Sequence, residues 1–123
     1  MTRIIEFSET LAALLAGQKT CTRREWKPQY AARWKAGDEA IAYSKSPRKG
    51  GKPVARIRLT EAPYLESSER IPFDDFVHEG FAYMRDHGLT LFGGASPGEV
   101  WADWHRNRRD LWVVRFSLVS VIK

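Results

Sequence analysis

Alternating and short apolar segments along the chain predict a set of β-strands. Ala55, Ile57 and Leu59 fall on one face of an extended segment, and the two arginines between them fall on the other. This two-residue period is typical of a half-buried strand. Residues 19–24 are predicted to be a strand or an extended segment, and four further segments have a strand-like pattern: residues 4–7, 40–43, 54–60 and 111–122. The last of them is the longest strand candidate and carries apolar residues on both faces.

Helical spacing and capping residues predict helices between these strands. Ser8 is expected to cap a short helix that ends at Gly17, a natural residue for a helix C-terminus. Residues 73–84 have apolar positions at helical spacing, although Gly80 weakens the pattern. The sequence SPGE at 96–99 is a strong helix start, because Ser caps, Pro suits the first position and Glu completes a capping box.

The remaining segments are predicted to be connections. Residues 26–35 are expected to be irregular with Pro28 as a breaker, residues 63–72 to be a plain connection, and residues 44–53 to be a flexible loop. Strands before, between and after helices, without regular alternation, favour a mixed α+β fold over a doubly wound parallel sheet. No internal repeat or long linker divides the chain, so residues 1–123 are expected to form a single domain.

The composition indicates which partners and which cellular compartment to expect. The chain has 123 residues, and its 20 Lys and Arg outweigh 15 Asp and Glu for a net charge of +5. A basic balance favours polyanionic partners, RNA or DNA first. Cys21 is the only cysteine, so an intramolecular disulfide is impossible and a reducing compartment is expected. With no signal-peptide pattern and no apolar run long enough for a membrane span, we expect a cytoplasmic protein without membrane association.

The densest cluster of reactive side chains is GQKTCTRR, residues 17–24. A threonine hydroxyl such as that of Thr22 becomes a nucleophile only when a base takes its proton. Lys19 could be that base if burial or nearby cations depress its pKa. Residues three apart face opposite sides of a regular strand, so we expect Lys19 in a turn and Thr22 at the strand start. A solvated basic strand is the alternative, and Cys21 is expected to be a buried packing residue.

Other sites are not indicated by the sequence. The three histidines are scattered and Cys21 is alone, so neither a structural zinc site nor another metal site is predicted. The glycine pairs at 50–51 and 93–94 complete no nucleotide-binding motif. No cofactor is expected.

Basic and aromatic residues are interleaved after the cluster, between residues 23 and 35. Such a mixture suits single-stranded nucleic acid, because cations follow the phosphates while aromatic faces stack on bases. The alternative is that the tryptophans are core residues. For Trp26 the two interpretations are equally supported, whereas for Trp34 the core position is favoured. Four cations of the 44–53 loop are expected to add a mobile phosphate or RNA contact: Lys45, Arg48, Lys49 and Lys52.

Residues 17–24 resemble the G-x-K-x-x-T-x-R signature of the ASCH family, a branch of the PUA-like superfamily. The Gly-Asp pair at 37–38 with the apolar segment after it, the segment around Glu79 and the closing LWVVRFSLV are also similar. The resemblance implies a PUA-like small, curved β-barrel with flanking short helices and a cleft beside the motif. It also implies RNA or nucleoside recognition, and some members resemble amidohydrolases that deacetylate N4-acetylcytidine.

The resemblance also implies a set of site residues. The catalytic Lys and Thr of such amidohydrolases match Lys19 and Thr22 without a gap, and their Glu matches Glu79 by weaker similarity, with Asp74, Asp75 or Glu69 as alternatives. Substrate contacts are expected from five further residues: Arg23, Arg24, Trp26, Tyr43 and Arg56. The resemblance thus implies a hydrolytic site for N4-acetylcytidine-like base amides. The alternative is a single-stranded RNA-binding module or ribonuclease without amidohydrolase activity, and a partner-binding domain without catalysis is a third hypothesis.

Overall fold

The computed structural model describes residues 3–122. The strands are β1 Arg3–Glu6, β2 Cys21–Arg24, β3 Glu39–Tyr43, β4 Pro53–Leu59, β5 Tyr64–Ser67 and β6 Asp110–Val121. The α-helices are α1 Leu11–Leu15, α2 Pro28–Ala31, α3 Asp75–His78, α4 Phe81–Asp86 and α5 Pro97–Arg106. Two short 3₁₀ turns lie at Pro47–Lys49 and Ser68–Arg70. Among these residues, no helix is long and apolar enough to cross a membrane.

The six strands form one curled sheet in the order β1-β3-β4-β6-β2, and β5 also pairs with β6. Among the strand pairs within residues 3–122, β1–β3 is parallel and the others are antiparallel. The amino-terminal half of β6 pairs with β2 and β5, and its carboxyl-terminal half pairs with β4. A register shift leaves Val119 as an extra residue opposite the Arg56–Ile57 step. Such a bulge bends a strand, which suits the curled sheet.

The predicted fold class is confirmed: the protein is mixed α+β, with a sheet curled into a half-barrel and short helices beside it. The long strand at the carboxyl end was correctly predicted, and its position explains its apolar residues on both faces. Val113 and Val114 point to opposite sides of β6, yet both are fully buried. One side of the strand therefore packs inside the curl, and the other is covered by neighbouring chain.

Four local predictions were wrong. The segment 63–72 contains β5, and the segment 26–35 contains α2, which Pro28 begins at its first turn instead of interrupting. Ser8 does not cap α1, because the residue before the helix is Thr10. The single helix predicted for 73–84 is two helices, α3 and α4. They are separated at Gly80, whose φ of 88° lies in the left-handed region that glycine tolerates.

Two apolar clusters share the interior. The first fills the curl of the sheet and includes Phe7, Trp34 and Phe116. The second lies among the helices and includes Phe81 and Leu91. The short helix α1 joins the two, since Leu14 belongs to the sheet cluster and Ala13 to the helical cluster. The predicted capping box of α5 is confirmed.

Candidate active site

A cavity of about 240 Å³ lies where the two apolar clusters meet. Phe7 of the sheet cluster and Phe81 of the helical cluster both border it. The three predicted catalytic residues, Lys19, Thr22 and Glu79, border the same cavity. The fold therefore brings together residues that lie up to 60 positions apart in sequence.

Lys19 reaches the cavity because the chain turns before β2. The α1 helix ends with Gly17 in the left-handed conformation, φ 72°, and the amide of Gln18 donates to the carbonyl of Ala13. The backbone of Thr20 then bonds to α3 and to β6, its amide to His78 and its carbonyl to Phe116. This turn has the form predicted from the spacing of Lys19 and Thr22, with β2 beginning one residue earlier, at Cys21.

The Lys19 ammonium group is buried against Glu79. Its Nζ atom donates to the Glu79 carbonyl oxygen at 2.8 Å and to Oε1 of the same residue at 3.0 Å. The side chains of Lys19 and Glu79 are 2% and 3% exposed. Burial lowers the pKa of Lys19 from its ordinary value, and the negative charge of Glu79 opposes this shift only in part. A lysine with a lowered pKa reaches its neutral form, the form that accepts a proton, at a lower pH than a solvated lysine does.

Glu79 is held at the break between α3 and α4. It follows α3 directly and precedes Gly80, so the left-handed turn at Gly80 sets where the Glu79 side chain enters the cavity. Its second oxygen, Oε2, accepts a hydrogen bond from Nη1 of Arg23 at 2.7 Å. One carboxylate thus bridges a lysine and an arginine, which fixes its orientation and offsets the cost of its burial.

Thr22 and Arg24 lie side by side on the opposite face of β2 from Arg23. Arg24 Nε donates to Thr22 Oγ1 at 3.2 Å, and the Arg24 guanidinium lies over the ring of Phe7, 5.1 Å from its centroid. Thr22 is buried and borders the cavity. The hydroxyl oxygen thus accepts a hydrogen bond from a cation, which stabilises negative charge on that oxygen when a base takes its proton.

Arg23, which was predicted to bind substrate, borders the cavity, but its guanidinium group is already paired with carboxylates. Its side chain is 1% exposed and lies among three carboxylates: Glu79, Asp75 and Glu66. Arg115 adds a second cation to this cluster by donating twice to Asp75. Burial opposes ionisation of Asp75, but the hydrogen bonds from Arg115 and Arg23 outweigh it and hold its pKa below the usual range. Arg23 therefore lies at the cavity wall and holds the Glu79 carboxylate in place.

Cys21 lies in the core of this cluster and is fully buried, which agrees with the predicted packing role. Burial, together with the charge of Glu79, raises the pKa of the thiol to about 12. The thiolate is the nucleophilic form of cysteine. Cys21 is thus held in its unreactive state, although Arg23 and Arg115 lie near it.

The alternative carboxylates are placed elsewhere. Asp75 is buried in the Arg23 cluster and does not border the cavity, while Asp74 and Glu69 are exposed on the surface. Glu69 pairs with Arg108 at 3.4 Å. Of the four carboxylates considered from the sequence, Glu79 is the one that borders the cavity with Lys19.

Other residues predicted to bind substrate do not border the cavity. Trp26 is half-buried and stacks on the buried Trp34, with ring centroids 5.3 Å apart. Arg56 is exposed and pairs with Glu39, while Tyr43 is half-buried beside β1. The four predicted phosphate-binding cations are exposed in and around the first 3₁₀ turn: Lys45, Arg48, Lys49 and Lys52. These positions leave them free for a surface ligand, apart from the cavity.

Several residues at the cavity were not predicted to be site residues, among them Glu9, Phe92 and Trp104. Glu9 and Phe92 come from opposite ends of the chain and meet at the rim. The Gly-Gly pair after Phe92 is the one local signal of an unusual loop there. Within residues 3–122, no group of three or more His, Cys, Asp and Glu side chains is arranged to hold a metal ion.

Comparison with known proteins shows the fold. No protein-family model matches the chain, and no curated protein matches it in sequence. A solved structure that is similar is that of protein EF3133 from Enterococcus faecalis V583, of the family DUF984. The two structures agree with a TM-score of 0.55 at 14% sequence identity, over 98% of this chain and 78% of the other. This likeness shows a shared small domain with a curled sheet.

Proposed function

We propose that this protein is an amidohydrolase that acts on acylated nucleobases such as N4-acetylcytidine. The observation that carries the proposal is the buried Lys19–Glu79 pair opening on the same cavity as the Thr22 hydroxyl. The GQKTCTRR motif, which resembles that of the ASCH family, supports the assignment, and we propose that the chain is an ASCH-like member of the PUA-like superfamily. A curled sheet of this kind is compatible with that family.

The cavity favours a small ligand. Its volume of about 240 Å³ lies below the roughly 300–1,000 Å³ of sites for drug-sized molecules. Its walls combine aromatic rings, Phe7 and Phe81, with the polar groups of Lys19, Thr22 and Glu79. A single planar base with an acyl group matches such a volume and lining better than a polymer backbone does.

The proposed reaction has two steps. In the first, Thr22 Oγ1 bonds to the acyl carbon, the bond from that carbon to the base nitrogen breaks, and the hydroxyl proton passes through Lys19 to the leaving nitrogen. In the second, water attacks the acyl ester on Thr22, the acid is released, and the threonine hydroxyl is restored. Glu79 holds Lys19 in place and accepts or returns the proton. Arg24, which is hydrogen-bonded to Thr22, stabilises the negative charge that develops on the acyl oxygen during the attack.

The test is release of acetate from N4-acetylcytidine, followed by NMR. We expect Thr22→Ala and Lys19→Met to lower kcat/KM by roughly a thousand-fold or more, as for the removal of a nucleophile or its base. Thr20→Ala is the matched control for the threonine, because Thr20 is exposed and lies two residues away. Lys35→Met, also at an exposed position, is the control for the lysine. Full activity in either site variant would refute the proposed mechanism.

A second candidate, a single-stranded RNA-binding module or ribonuclease, is favoured by a separate surface. Trp26 and Tyr30 border a shallow groove together with Lys27 and Arg33. Aromatic rings beside cations suit unpaired bases and their phosphates. Under this hypothesis, affinity for a single-stranded RNA oligomer falls steeply with salt, and Trp26→Ala weakens it. Absence of binding at low salt would exclude this function.

A further inference from the structure

The loop at the cavity rim contains an unusual backbone conformation. Phe92 has φ 47°, in the left-handed region, and among residues 3–122 it is the one non-glycine residue with positive φ. Two glycines with positive φ follow it, Gly93 and Gly94. A bulky side chain in this region is strained, and such strain concentrates at functional sites. Phe92 is also 63% exposed, so little burial compensates for the strain.

Contacts from both sides hold Phe92 in this conformation. Its backbone amide donates to Oε1 of Glu9, which lies across the rim between β1 and α1. Leu91 and Ala95 pair in a short bridge that closes the loop beneath it. Leu91 itself is buried in the helical cluster. The loop is thus anchored at its base and tied at its tip to the opposite wall, which fixes where the ring projects.

The position of the ring suits contact with a ligand. Phe92 borders the cavity of Lys19 and Thr22, and it also borders a second, wider cavity of about 680 Å³. Trp104 is the other residue shared by the two cavities. A molecule that enters the catalytic cavity from the wider one therefore passes these two aromatic side chains. Planar bases stack on such rings, whatever their sequence.

We propose that Phe92 is the specificity-determining residue of the site. Its ring stacks on the planar base of the substrate while the acyl group extends toward Lys19 and Thr22. This inference rests on the proposed amidohydrolase function for the reaction, and on the rim geometry for the recognition. It explains why a strained and exposed phenylalanine stands at the mouth of the cavity, since the bound base covers the ring.

The test uses three variants of Phe92. Phe92→Gly removes the ring and also relieves the strain, because glycine adopts φ 47° freely, so it is expected to fold. Phe92→Leu keeps an apolar side chain without a flat face, and Phe92→Trp keeps a flat face. We expect the Gly and Leu variants to raise KM for N4-acetylcytidine about 5- to 100-fold with kcat little changed, and the Trp variant to stay within about 3-fold of wild type.

A second readout separates this inference from the proposed function. Binding of N4-acetylcytidine to the Thr22→Ala protein is measured by calorimetry, alone and combined with each Phe92 change. If wild type releases no acetate but binding weakens 5- to 100-fold in the Gly and Leu variants, the proposed reaction is wrong and the stacking role stands. If acetate is released and neither KM nor binding responds to the loss of the ring, the stacking role is wrong. The stacking role is also wrong if the Thr22→Ala protein does not bind N4-acetylcytidine at millimolar concentration.

Discussion

Gly80 is the position where one added methyl group tests the geometry of the site. A Cβ atom built on Gly80 would lie 2.6 Å from Cβ of Ala13 and 3.2 Å from Cβ of Lys19. The first separation is far below van der Waals contact, and Ala13 cannot rotate away because its Cβ is fixed to the backbone of α1. Gly80→Ala therefore forces α4 away from α1 or displaces Lys19.

Two costs add in this variant. Placing an L-residue in the left-handed conformation costs roughly 1–2 kcal/mol, and overpacking a closely packed contact costs about 1–3 kcal/mol more. Gly80→Ala is therefore expected to lower the free energy of unfolding by about 2–5 kcal/mol. Gly88→Ala is the matched control, because Gly88 has φ 66° and its added Cβ would have no atom within 4 Å. It carries the conformational cost alone, about 1–2 kcal/mol.

Urea denaturation measures the free energy of unfolding of both variants. We expect each variant to have a lower midpoint than wild type and an unchanged m-value. Effects on the unfolded chain are the same for two Gly-to-Ala changes and cancel in the comparison. The difference of about 1–3 kcal/mol then reports the contact with Ala13 and Lys19. Gly80→Ala is also expected to lose acetate-releasing activity that Gly88→Ala keeps. Equal stability of the two variants would refute the close approach of α4 to α1 and Lys19.

Two further predictions concern charge. Glu79 raises the pKa of Lys19 against the lowering effect of burial, so Glu79→Gln is expected to lower that pKa further. In the plot of kcat/KM against pH, the rising limb then moves to lower pH and the maximum falls. The control is Glu66→Gln, which removes a partner of Arg23 but not of Lys19 and leaves the limb in place. An unmoved limb in Glu79→Gln would exclude Lys19 as the base. The lowered pKa of Asp75 stabilises the fold above its ordinary value of about 3.8, and this stability is lost as the pH falls below that value. Asp75→Asn leaves Arg23 and Arg115 without that charge, so it costs about 3–5 kcal/mol at neutral pH and weakens the pH dependence of stability in acid. Urea titrations at several pH values check this, and a loss under 1 kcal/mol would contradict it.

Local sequence patterns were sufficient for most strands and for the turn that carries Lys19. The two-residue period placed β4 and β6, and the spacing of Lys19 and Thr22 required a turn between them. These features depend on residues that are close together in sequence, so the local pattern is enough to predict them. The strand β5 was missed because its four residues are stabilised by pairing with the first half of β6, about 45 residues later.

Features that depend on distant contacts could not be predicted in the same way. Alternation places Cys21 and Arg23 on one face of β2, but only the packing of α3 over that face shows that Arg23 is buried among carboxylates. The choice of Glu79 over Asp75 likewise depends on the turn at Gly80, where two short helices separate. Phe92 had no local signal except the glycines after it, since its partner Glu9 lies 83 residues away.

A product balance with N4-acetylcytidine tests whether Thr22 carries an amidohydrolase reaction. Wild type, Thr22→Ala and Thr20→Ala proteins are incubated with the nucleoside, and cytidine and acetate are quantified together by mass spectrometry. We expect equal amounts of cytidine and acetate from wild type and Thr20→Ala, and neither product above background from Thr22→Ala. Wild type that forms no cytidine, or a Thr22→Ala variant that forms as much as wild type, would contradict a threonine-based amidohydrolase site.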